Sequence, residues 1–243
     1  MPASSESSHR AVSGKLRVYV PVTVAMLREL VTERELRAVN DTAFAVTPAL
    51  REAYASGDDE ELAEVAMGEA ARASLRLLAD DRAADELHGT GDDGDAAGGS
   101  GATDDAGDVA ARTDDTGDSA DTDGGDDAEA VLDPATADGP APTDVSHRPV
   151  YRRAVVAADV EGATLRPDLD DAVVRLSGPI TWNRVASVHL DLVEAEPAVA
   201  KAVDVIDAAD MGDPDAEFVL GDAEDHQLAW YATQELPFLL DLL

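Results

Sequence analysis

Leu16, Val18 and Val20 alternate with Arg17 and Tyr19, the period-two signature of a strand with one buried face, and Pro21 is expected to end it. Thr23 then reads as the N-cap of a helix whose apolar stripe is Val24, Leu27, Leu30 and Val31. Ala43–Val46 is a short apolar run predicting a second strand, closed by Thr47 and Pro48. A longer helix is predicted from Asp58 or Asp59, with Glu60 and Glu61 suiting the positive end of its dipole. Its inner stripe is Met67, Ala70, Ala71, Ser74, Leu75 and Leu78, and Glu69 and Arg72 are placed to pair on a solvated outer face.

Further along, Ala154–Ala158 is a continuous apolar run of the kind found mid-sheet, buried on both faces. Ala172–Leu176 and Ser187–Val193 predict two more strands, and Pro197 opens a helix with Val199, Ala202, Val203, Ile206 and Ala209 as its stripe. Phe218 and Leu220, then Leu228 and Trp230, alternate like strands, while Leu236–Leu243 reads as an apolar closing segment. Strands interspersed with helices predict an α/β or α+β fold, a single domain with a mixed sheet packed by helices.

Composition changes that picture at one place. Residues 85–147 carry nineteen Asp or Glu, one basic residue (Arg112) and few large apolar side chains. Such a stretch buries too little surface to offset its ordering entropy, so a disordered acidic insert is expected there. A disordered tail is expected over 1–14, leaving 15–84 and 148–243 to form one folded domain of comfortable size for a single core. Asp121, Asp123, Gly124, Asp126 and Asp127 resemble a calcium loop, but placing Gly124 sixth puts Ala130 where a bidentate glutamate belongs.

The net charge of −34 is shared between insert and folded part, which opposes nucleic-acid phosphate and anionic membrane as partners. No apolar run reaches the ~18 residues a membrane helix needs. The chain has no cysteine, which removes disulfides and thiolate chemistry and fits a cytoplasmic setting. No HExxH, P-loop, Gly-x-Ser-x-Gly or Gly-x-Gly-x-x-Gly pattern occurs, and no cofactor is expected.

The residue types left that can do chemistry are few. Strand alternation puts His189 and Asp191 on one face about 6.5–7 Å apart, a separation suited to sharing a metal or polarising one substrate group. His226 is the accessory base or third ligand if the two segments meet. The alternative is that His189 and Asp191 are exposed polar residues on a half-solvated strand. Trp182, Trp230 and Tyr231, with Glu235 beside the last two, are pocket-lining candidates, and core packing is their other use. Arg148, Arg152 and Arg153 form the most basic cluster, placed to contact phosphate, to neutralise the acidic stretch or to begin a strand.

RVYVP (17–21), AVTPALREAYASGDDEEL (45–62), EAARASLRLLA (69–79), RRAVVAADV (152–160), AEPAVAKAV (195–203) and WYATQELP (230–237) together resemble an actinobacterial family of uncharacterised proteins, a domain of unknown function. The resemblance covers essentially all of 16–84 and 150–240. It implies a bacterial, cytosolic protein and a short connection in relatives where this chain has the acidic stretch, but it brings no activity or catalytic residue. The leading functional expectation is a non-enzymatic interaction or regulatory module that binds another cytosolic protein. The alternative is a small hydrolase or lyase using His189 and Asp191, with His226.

Overall fold

A computed structural model of the chain describes residues 14–54, 56–89 and 150–243. The tail before Gly14, the calcium-loop-like segment, Arg148 and nearly all of the expected insert lie outside the described residues.

Seven strands make the main sheet: β1 (Lys15–Val22), β3 (Thr42–Phe44), β4 (Ala154–Glu161), β5 (Thr164–Leu165), β6 (Val173–Arg175), β8 (Val185–Leu190) and β9 (Ala229–Ala232). Their order is β5-β6-β3-β1-β4-β8-β9, and β2 (Glu35–Leu36) with β7 (Ile180–Thr181) forms a separate two-stranded ribbon. Every described pairing is antiparallel. The fold is therefore α+β, and the sheet is antiparallel where a mixed one is expected. The helices do not act as crossovers between parallel neighbours; they are laid over the faces of strands that pair by reversal.

Strand β4 lies inside the sheet, between β1 and β8, as its unbroken apolar run requires. On one face Val18, Val20, Val22, Val156, Val188 and Leu190 pack with Val24, Leu27 and Leu30 of α1 (Val24–Glu33) and with Leu236 and Leu240 of α6 (Leu236–Leu240). On the other, Phe44, Val155 and Val173 meet Leu62, Ala66, Ala70 and Ala71 of α3 (Asp59–Gly89). The small side chains along that helix face let it lie close to the sheet. Farther along, Leu75 and Leu78 of α3 bury against α4 (Glu196–Asp210) and α5 (Pro214–Glu224).

Each departure from the sequence pattern has a physical cause. Pro21 does not end β1: the strand runs on to Val22, and Pro21 sits opposite Val155, beyond the single pairing of β1 with β3 at Tyr19–Phe44. Thr47 and Pro48 open α2 (Pro48–Ala53); the Thr47 hydroxyl accepts from Leu50 N–H at 3.0 Å and donates to the Asp171 carbonyl. Phe218 and Leu220 lie on α5, which Asp213 caps through bonds from Asp215 and Ala216 N–H and which Pro214 starts at its first position. Helix α3 continues to Gly89, past the expected boundary at Asp85, through good helix formers and an Arg82–Glu86 pair one turn apart. The outer face of α3 is not simply solvated. Arg72 reaches Glu217 and Glu224 of α5, at 2.7 and 3.3 Å, in place of Glu69, while Arg76 and Arg82 pair with Asp210 and Asp204 of α4.

Candidate functional site

The antiparallel register of β4 on β8 sets Ala154 opposite Leu190, so Arg153, just before β4, falls opposite Asp191, just after β8. The Asp191 carboxylate accepts from Arg153 Nε at 2.9 Å, from Nη2 at 2.8 Å and from the Arg153 main-chain N–H at 2.9 Å. Asp191 N–H in turn donates to the Arg153 carbonyl at 3.0 Å. Both side chains are withdrawn from water, at 3 % and 0 % exposure. Nη2 also donates to the main-chain carbonyl of His226 at 2.6 Å, tying the α5–β9 link to the end of the sheet. This bidentate pair satisfies both charges. It also occupies the carboxylate that a metal or a substrate would need.

His189 is half-buried on β8, its Nε2 3.1 Å from Ser187 Oγ, and burial lowers its pKa below the ordinary imidazole value. It shares a face with Val155 on one side and Trp230 on the other, because directly paired residues point the same way. Asp191 and His226 do come together, through the guanidinium of Arg153 and through main chain on the His226 side. As a ligand set the three do not assemble: among the described residues no group of three or more His, Cys, Asp or Glu is placed to hold a metal ion. Arg153, the residue that decides what Asp191 does, was visible in the sequence only as one of a basic cluster. Its neighbour Arg152 pairs with Glu196 at 2.6 Å.

The pocket candidates separate for a simple reason. Trp230 and Tyr231 are adjacent on β9, so their side chains take opposite faces; Tyr231 packs into the α1 side of the core, whereas Trp230 remains 61 % exposed. Trp182 packs at that same α1-side core, under the guanidinium of Arg34 at 4.0 Å from the ring centroid. Glu235 does not line a pocket with them; its Oε2 accepts the Ala232 N–H at 2.9 Å. Clefts of about 260 Å³ around Ser177–Thr181 and about 390 Å³ around Lys15, Asp159 and Arg184 include none of the residues singled out from the sequence.

What is open to a ligand on this side is the sheet edge. Helix α3 packs chiefly over β1, β3 and β4. Strand β9 ends the sheet, with no described strand beyond it. Its Ala232 N–H is bound by Glu235 and so is turned away from β8. Alternate residues of a strand present their N–H and C=O to the same side, which aims those of Trp230 outward as well.

The fold and its edge define an α+β protein on an antiparallel seven-stranded sheet, with no described helix long and apolar enough to cross a membrane. The chain belongs to a family of unknown function, DUF6912, whose profile matches residues 16–89 and 95–240 and so extends over much of the acidic stretch. No curated protein and no solved structure matches it.

Proposed function

We propose that this protein is a non-enzymatic interaction module that docks a cytosolic protein partner along the open edge of β9. The observation that carries the reading is Trp230, 61 % exposed on a terminal strand whose outer hydrogen-bonding groups have no strand neighbour among the described residues. Large exposed aromatics cost solubility, concentrate binding energy when covered, and are enriched at the centres of interfaces. An uncovered strand edge is in addition a template for backbone pairing. The engagement of Asp191 by Arg153 weighs against a hydrolase or lyase built on His189 and Asp191. The absence of cysteine supports the cytosolic setting, and the acidity of 85–147 supports a solubilising role for that stretch.

Affinity capture with the full chain tests the reading when run beside Trp230→Ala and beside Phe218→Ser, which alters an exposed aromatic on α5 rather than on β9. A partner retained by wild type and by Phe218→Ser but lost by Trp230→Ala is the expected result. Capture indifferent to Trp230 overturns it.

A further inference from the structure

We infer that the occupant of the β9 edge is an extended basic segment of another protein, added as an outer strand with a lysine or arginine over the Trp230 indole. The inference rests on the reading of β9 as a docking edge and names what docks there.

Three observations select this occupant. The first is hydrogen-bonding supply. With Ala232 N–H capped by Glu235, the outward residue of β9 that keeps both its N–H and its C=O for an incoming chain is Trp230, so pairing with the strand is centred on that residue. A ladder centred on one residue needs side-chain energy to hold it. The second is the indole itself, exposed on the same residue that offers the backbone groups. A cation above an indole gains more than one above any other ring, and side chains of an added strand fall on the same face as their paired neighbours.

The third is charge. From Ala202 to Leu243 the chain has eleven Asp or Glu and no Lys or Arg, and β9 lies within that span. Some of these carboxylates are neutralised by arginines of α3, but Asp222 and Asp225, just before β9, take part in no ion pair with a described residue. The resulting field repels a second copy of this chain, with its net charge of −34, and repels its own acidic stretch, while drawing in a basic segment. Glu235 completes the arrangement as an edge guard: it blocks one donor against indiscriminate strand pairing and places a carboxylate beside the docking position.

The test uses the full chain, isotopically labelled, and two capped probe peptides of about ten residues, one alternating lysine with threonine and one alternating glutamate with threonine. The lysine peptide is expected to bind, to move the Trp230 backbone amide resonance, and to weaken about tenfold in Trp230→Ala, as loss of a cation–π contact and its packing requires. Its affinity should also fall when salt rises from about 50 to about 300 mM. Trp230→Ala must melt as wild type does, which its exposure leads us to expect. Equal binding of both peptides, or binding that leaves the Trp230 amide unmoved, overturns the inference. So does a concentration-dependent shift of that amide in the protein alone, which would put a second copy on the edge. A partner captured through Trp230 but lacking any basic extended segment overturns this inference and leaves the docking edge standing; capture independent of Trp230 removes both.

Discussion

The two ends of the β8 neighbourhood carry polar and aromatic residues of equal prominence in the sequence, yet they are built in opposite ways. At the β4–β8 end, Arg153 and Asp191 are buried and bonded to each other on every side that matters, with the His226 carbonyl as a further acceptor. At the β9 edge, one residue later in register than Ala229–Leu190, Trp230 stands mostly in water with backbone groups facing outward. A satisfied buried pair has nothing left to offer a ligand, whereas an exposed ring on an unpaired strand has both surface and hydrogen bonds to offer. The first end holds the fold; the second is the edge proposed above as the docking site.

The largest effect that would break this contrast is at the ion pair. Arg153→Ala or Asp191→Ala leaves a buried charge without its partner, so each should cost about 3–5 kcal/mol in urea unfolding, and a double replacement by apolar side chains of similar volume should recover most of the loss. A single substitution costing almost nothing would mean that the pair is not the structural tie it is taken to be.

Next in size is a pH effect at His189. Burial lowers its folded pKa below the unfolded value, so as pH falls through about 6.5 the unfolded chain takes up the proton first and stability declines until the folded pKa is reached. The contribution is complete above the unfolded value. His189→Gln should therefore flatten the stability profile between about pH 7 and pH 5 relative to wild type, read by thermal melting across that range. A variant whose profile parallels wild type would show that the imidazole is not held neutral by its surroundings.

The smallest stability effect is expected at the edge. Trp230→Ala should shift unfolding by no more than about 0.5 kcal/mol, in keeping with a side chain that packs little, and Glu235→Ala, which frees the Ala232 N–H, should cost about the same or less. What Glu235→Ala should change is behaviour at high concentration: light scattering is expected to show more self-association, because the guarded donor becomes available to a neighbouring strand.

Much of the fold was legible because single segments specify it. The alternation of Leu16, Val18 and Val20, the Thr23 cap and the apolar run before Asp159 each became the element they predict. Where reading failed, two signals competed. Phe218 and Leu220 have strand spacing, but Asp213 and Pro214 just before them start a helix, and the cap prevailed. Pro21 reads as a terminator, yet tertiary context carries β1 through it. The site was harder, for a physical reason. Strand alternation pairs His189 with Asp191, but what Asp191 does is set by Arg153, 38 residues away, through an antiparallel register no local pattern encodes. Trp230 and Tyr231 are both pocket-lining candidates by residue type, although period-two geometry on β9 assigns them to opposite faces.

Amide hydrogen exchange on the full chain tests the contrast most directly. The Arg153 N–H, bonded to the Asp191 carboxylate, and the Asp191 N–H, bonded to the Arg153 carbonyl, should exchange only at the rate of global unfolding, while the Trp230 N–H exchanges orders of magnitude faster through its open edge. Protection of the Trp230 amide equal to that of Arg153 would show that the edge is already covered, and would contradict the account.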